Sequence, residues 1–429
     1  MASPLIGAQL LQMGNGLVDA VVAGRLGRAE LAAGGIGATI WFAVSILCIG
    51  LMAGLSPLLS ELIGNRRRNA VGELFRQGLW VGVIAGLFGV IVILLIRANL
   101  GASSLEPELL PHIKDYLITA CWSMPAFAVV LAARNVCEAT NLTKPVLVVQ
   151  LFGLLVNIVV DLALGLGLFG FPKLGLFGIG VATSVVTFCM AVALLWLLTG
   201  HSFKRYHLFA RIDYPKWQHI GPMLSLSLPI FFTILFEAGL FVATSYQSGV
   251  LGTLPASAHF IAIGATSFAF MLPLGLSFAL TARVGRVYGR GQLNALALRV
   301  FTGVLLAVVL AIGTAIFLLL FRHQIAALYT PDLEVRRLAA QILLMAVLFQ
   351  VSDGLQVALI GMLRGLQDTQ APMFINLISY WGVAFGIGYW LAHHGGWGVI
   401  GLWTGLIIGL SVSAVLLGLR LRYQLRRIN

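Results

Sequence analysis

The chain has 429 residues, of which 59% are apolar and 10% charged; a soluble domain carries roughly 45–50% and about 25%. So few charges cannot cover a water-facing surface of this size, and the mean hydropathy of +0.98 agrees, which excludes a soluble enzyme, a disordered chain and a nucleic-acid-binding domain. The 27 Lys+Arg outnumber the 15 Asp+Glu, and they fall between apolar runs, where they read as topology signals and contacts for anionic lipid headgroups.

Runs such as Val81–Ile96 and Leu305–Phe321 are long and continuous, unlike the short alternating segments of a membrane β-barrel. At about 20 helical residues per crossing, twelve spans are expected, near 4–24, 32–63, 77–97, 115–140, 145–169, 175–200, 222–250, 256–288, 296–321, 336–364, 372–393 and 397–421. Several exceed 25 residues, so tilt or extension past the lipid is expected. With the N-terminus inside, the inner connections hold 19 of the Lys and Arg residues and the outer ones 8. That skew is what the positive-inside rule asks for, and it places both termini in the cytoplasm. Pro125, Pro229 and Pro273 each remove a backbone donor within a span and mark bends. The chain enters its first apolar run within a few residues and shows no small-residue cleavage site, so no cleavable signal peptide is expected. Cys48, Cys121, Cys137 and Cys189 are irregularly spaced, which supports neither a metal site nor a disulfide framework.

The longest polar connection, His201–Ile220, follows the sixth span. Around it the halves repeat: Ile36-Gly37-Ala38-Thr39 recurs as Ile263-Gly264-Ala265-Thr266, and Thr143-Lys144-Pro145 faces Gln370-Ala371-Pro372 at the same offset of 227. Six spans per half make the repeat parallel, with a pseudo-two-fold axis along the membrane normal. The expected fold is therefore an all-α polytopic membrane protein with twelve transmembrane helices in two pseudo-symmetric six-helix bundles. Its expected divisions are an N-terminal lobe at 1–200, a cytoplasmic linker at 201–221 and a C-terminal lobe at 222–429. Two such bundles around a central cavity imply an alternating-access transporter.

An ionisable side chain at the centre of a span costs about 2.5–3.5 kcal/mol on insertion scales and marks function by default. Asp19, Glu237 and Asp353 sit inside spans with no Lys or Arg within four residues, so no i,i+4 ion pair neutralises them. Burial, or a second carboxylate nearby, favours holding a proton. Two carboxylates with a neighbouring carbonyl or hydroxyl can instead hold Na⁺ through hard oxygen ligands; Glu237 and Asp353, both in the second half, are the candidate pair. Asn157 and Asp161 are i,i+4 on span five and share a face, as helix–helix glue or as ligand contacts. Arg134 and Glu138, also i,i+4, read as an ion pair. Phe349, four residues before Asp353, lies on the same side and offers a cation–π surface, although in a chain with 25 Phe apolar packing is the better bet. The GxGxxG of Gly165–Gly170 ends an apolar span rather than joining a strand to a helix, so it is no dinucleotide fingerprint. With no P-loop, HExxH or GxSxG, the chain reads as a non-enzyme without cofactor or ATP, driven by a gradient.

The same residues carry a resemblance. GNGLVDAVVAGRLG around Asp19, LFEAGLFVAT around Glu237, QVSDGLQVALIGMLRGLQDTQAP around Asp353 and LTKP at Leu142–Pro145 resemble the multidrug and toxic compound extrusion (MATE) family, in its NorM-type bacterial branch, over essentially the whole chain. The resemblance implies two V-shaped lobes and export of diverse, often cationic organic compounds in exchange for Na⁺ or H⁺. It implies a multi-pass protein of the bacterial inner membrane, working as a monomer on small-molecule drugs within the lipid bilayer. It assigns cation coupling or drug binding to Asp19, Glu237 and Asp353; Phe349, Asn157 and Asp161 join them as candidate substrate contacts on the residue reading alone. Similar proteins carry tyrosine at the Phe349 position, so this chain lacks a hydroxyl there. They also carry a short segment before the first span, which implies a shortened N-terminus here. A lipid or lipid-linked oligosaccharide flippase of related architecture is the alternative; it calls for a basic cavity, whereas the mid-span groups here are acidic.

Overall fold

The computed structural model describes residues 2–102, 107–211 and 213–428. Among them there is no strand, and the long helices fall into twelve segments, with a short helix at His201–Lys204 between the sixth and seventh. The first half holds α1 (Ala2–Leu26), α2 (Arg28–Gly64), α3 (Arg68–Asn99), α4 (Leu109–Ala120 and Ser123–Thr140), α5 (Lys144–Gly165) and α6 (Leu176–Leu198). The second holds α7 (Trp217–Val250), α8 (Thr253–Gly289), α9 (Leu293–Tyr329), α10 (Leu333–Gly365), α11 (Gln370–His393) and α12 (Gly398–Ile428). Eleven pass on length and apolarity as single spans; α4 makes the twelfth as a pair of limbs bent by 47°. Each corresponds to one span expected from the sequence.

The bend in α4 has an identifiable cause. Pro125 has no N–H to give to the carbonyl of Cys121, four residues back, and the helix breaks there. Met124 N–H turns instead to Cys121 O at 3.0 Å. Pro229 and Pro273 are accommodated inside continuous helices. Where the segment after α6 packs against α3, glycine permits the close approach: a methyl on Gly72 of α3 would meet the carbonyl oxygen of Tyr206 at 2.5 Å.

The chain divides into two compact units, Ser3–Phe231 and the remainder from Phe232 on, with the change inside α7. In the first unit α4 is the hub, packed by α2, α3 and α6. Its core gathers Ile113, Tyr116, Leu117 and Met124 with Val44 and Cys48 of α2 and Ile179 of α6. In the second unit α10 is the hub, packed by α8, α9 and α12, and 61% of its most apolar window is buried against 28% for α9. Each hub is the fourth helix of its half, as an internal repeat requires. The outer faces stay apolar: Ile84, Phe88, Ile91 and Leu95 on α3, and Leu305, Val309, Ile316 and Leu320 on α9, are exposed. Faces of this kind suit acyl chains and not water.

The segment between α6 and α7 folds onto α3 in the first unit. Arg76 binds Asp213 through Nε and Nη2 at 2.6 Å, and its Nη1 donates to the carbonyls of His207 and Leu208. Gln77 donates to Tyr214 O and accepts from Lys216 N, and Trp80 Nε1 donates to Asp213 O. Desolvation pushes the Asp213 carboxyl up, but the hydrogen bond and charge of Arg76, with the charges of Arg211 and Lys216, outweigh it and hold it below the usual aspartate range.

Candidate functional site

The polar residues inside the spans form one cluster in each unit. In the first, the amide nitrogen of Asn157 donates to Asp19 at 3.0 Å and to Asp161 at 3.2 Å. Asp19 comes from α1 and the other two from α5. Asn157 and Asp161 are buried at 2% and 0% exposure, while Asp19 is partly buried. The α5 backbone widens into a π-helical turn over Asp161–Gly165, an irregularity often found at functional sites. It begins at the residue that carries the acid. Tyr116 of α4 stands within electrostatic reach of both carboxyls.

In the second unit Asp353 is buried in α10, and Glu237 of α7 lies close enough to act on it electrostatically. The pair proposed from sequence is thus brought into one neighbourhood. Arg364, in the last turn of α10, lies within electrostatic reach of Glu237. Tyr380 completes the group from α11. Its hydroxyl receives the amides of Gln356 and, at 3.2 Å, Asn376, and Ser413 of α12 donates to Asn376 at 2.7 Å. Tyr380 sits in a second π-helical stretch, Ile378–Phe385, again in the fifth helix of its half. A sequence signal for these residues exists: Gln350, Asp353 and Gln356 recur every three residues on α10, and Asn376 and Tyr380 are i,i+4 on α11.

Phe349 takes another role in this conformation. It is 2% exposed, with its ring 6.1 Å from Phe241 and 5.6 Å from Trp403 in edge contacts, and it belongs to the apolar core. Arg134 and Glu138 form the ion pair the spacing suggested, at 2.7 Å, and Arg134 also donates to Gln9 of α1 at 2.8 Å.

Several buried oxygens of both clusters have no hydrogen-bond partner: Asn157 Oδ1 and Asp161 Oδ1 in one, and Gln350 Oε1, Asp353 Oδ1, Gln356 Oε1 and Ser379 Oγ in the other. An unsatisfied buried polar group costs about 1–3 kcal/mol. Among the described residues no three His, Cys, Asp or Glu side chains converge as a metal site. A Na⁺ would therefore complete its oxygen shell with amide, hydroxyl or carbonyl groups.

A two-unit, twelve-span helical protein with an acidic polar cluster inside each unit defines a class of membrane transporter. The MatE family model matches residues 4–163 and again 229–390, once in each half. The probable multidrug resistance protein NorM of Xanthomonas axonopodis pv. citri is 37% identical over 96% of this chain and 91% of its own length. The multidrug resistance protein MdtK of Yersinia enterocolitica is 34% identical over 99% and 94%. Among solved structures, the eukaryotic MATE transporter AtDTX14 superposes with a TM-score of 0.91 at 20% identity, over 100% of this chain and 96% of that one. A MATE transporter in the bent conformation gives 0.91 at 18% identity, over 99% and 94%. The chain belongs to the MatE family.

Proposed function

We propose that this protein is a multidrug exporter that moves organic, often cationic, small molecules across a bacterial inner membrane in exchange for Na⁺ or H⁺. The observation that carries the proposal is the set of partnerless carboxyl and amide oxygens buried beside Asp19 and Asp161 in one unit and beside Glu237 and Asp353 in the other. The names of the NorM and MdtK relatives support the choice of cargo. In this reading the two lobes, 1–200 and 222–429, alternate access around the linker 201–221, with both termini cytoplasmic.

Mutual exclusion follows from charge. While the acids hold H⁺ or Na⁺ they are neutralised, and a cationic drug leaves outward. When the coupling ion departs inward, the exposed charge favours loading the next drug. Each coupled charge crossing 100 mV contributes about 2.3 kcal/mol, so no ATP is needed, and a single chain carries the whole path. Efflux of a fluorescent organic cation from proteoliposomes under separately imposed Na⁺ and pH gradients tests the proposal: one gradient drives transport above the leak, and efflux indifferent to both refutes it.

A further inference from the structure

The segment folded onto α3 leaves a cleft of about 370 Å³, walled by Leu79, Trp80, Val83 and Phe209 and rimmed by Arg211 and Asp213. Its depth can be read from α3. That helix has 32 residues, about 48 Å at 1.5 Å per residue, against a hydrocarbon core of about 30 Å. Counting about 20 residues back from Arg97, the basic residue in its last turn, sets the near edge of the core around Gln77–Trp80. The cleft therefore straddles headgroup level.

Two further features mark the place. Large aromatics face outward there: Phe209 at 47%, Trp217 at 74% and Tyr214 at 86%. Tryptophan and tyrosine concentrate where lipid meets water. The charge is also unbalanced. Arg76, Arg211 and Lys216 stand against Glu73 and Asp213. Arg76 is committed to Asp213 and two carbonyls. Arg211, 61% exposed, holds Asp213 at 2.8 Å through Nε and reaches Glu73 only at 3.6 Å, so it keeps donors for another anion. Lys216, 46% exposed, gives one ammonium hydrogen to Glu73 at 3.0 Å and keeps two for another anion.

We propose that this cleft binds one anionic phospholipid, with the headgroup phosphate on Arg211 and Lys216 and the upper acyl chain along Trp80, Val83 and Phe209. The site is independent of the transport reaction and of which face of the membrane it occupies. The test uses the full chain in mixed micelles, titrated with phosphatidylglycerol or phosphatidylcholine brominated near the headgroup, with tryptophan quenching as the readout. Phosphatidylglycerol should quench at lower mole fraction than phosphatidylcholine. Arg211→Gln with Lys216→Gln should cut that preference about thirtyfold, the equivalent of ~1 kcal/mol for each of the two basic residues near an anionic surface. Arg211→Lys should keep it, and Trp80→Phe should remove part of the selective quenching. Arg422→Gln with Arg426→Gln, the same charge loss on exposed residues of α12, should leave it intact. An unchanged preference in the Arg211/Lys216 variant, or an equal loss in the α12 variant, overturns the proposal. Displacement of the lipid by millimolar inorganic phosphate overturns it too, because the cleft would then be a free-anion site.

Discussion

The two halves of the chain solve one problem with different residues. In the first unit an acid on the opening helix, Asp19, is bonded to an amide and brought beside a second acid, both on the fifth helix. In the second unit the opening helix offers Glu237, and its electrostatic partners Asp353 and Arg364 are on the fourth. Both halves keep an arginine on the fourth helix directed at the first: Arg134 to Gln9 by a hydrogen bond, and Arg364 to Glu237 by charge. Both widen the fifth helix into a π turn where a polar side chain must be delivered. A duplicated scaffold thus kept its packing and backbone irregularities while the acids moved. The second cluster leaves more buried oxygens without partners, on Gln350, Asp353, Gln356 and Ser379, against Asn157 and Asp161 in the first.

If that contrast is functional, the second unit is the more sensitive. Asp353→Asn and Glu237→Gln are expected to abolish coupled efflux, a loss of about 100-fold or more for a group acting on a buried charge (~2.7 kcal/mol), with expression and melting temperature retained. Wild-type gradient-driven efflux in vesicles by either variant would remove it from the coupling site. Asp19→Asn should cost less, about tenfold (~1.4 kcal/mol), because Asn157 can still bond the substituted amide. A normal rate and substrate range in this variant would leave the first unit a structural relic of the duplication.

The architecture was legible in the sequence to a large extent. Each of the twelve apolar runs has a helix to match, whereas the compact units divide inside α7 and the linker goes with the first. The candidate acids were legible because a charge in an apolar run has no cheap explanation. Tyr380, Gln356, Asn376 and Ser413 were harder to single out, since their spacing is shared by the polar uncharged residues that serve membrane helices as interhelical glue. The burial of Tyr380 and its bonds to Gln356 and Asn376 show that it faces inward. Phe349 shares a face with the acid four residues on, but 25 phenylalanines make apolar packing the prevailing use, and Phe241 and Trp403 enclose its ring. The fold of the linker onto α3 was also hidden, because Arg76 reads as a topology signal until Asp213, 137 residues later, is seen against it.

Tyr380→Phe sharpens the comparison at the level of stability. It leaves the amides of Gln356 and Asn376 without their shared acceptor inside the second unit, at about 1–3 kcal/mol. Thermal unfolding in detergent should fall by a few degrees, with transport reduced but still coupled. An unchanged melting temperature would mean that water already satisfies those amides and that the network is looser than its geometry.

The smallest effect is expected where the first unit carries its extra element. The Asp213 carboxylate lies below the usual aspartate range in the fold, since Arg76, Arg211 and Lys216 together outweigh its desolvation. A group with a depressed folded-state pKa adds stability that is complete above the unfolded value and is lost as pH falls through the folded one. The linker should accordingly stay docked at neutral and mildly acidic pH and loosen only below about pH 4. Trypsin cleavage at Lys204, Arg205 and Arg211, followed against pH, reads this directly. Asp213→Asn should open the same bonds already at neutral pH, with little change in the melting of the transmembrane helices. If the variant and the wild type are cut at equal rates at pH 7, the carbonyl bonds of Arg76 to His207 and Leu208 hold the linker without the carboxylate.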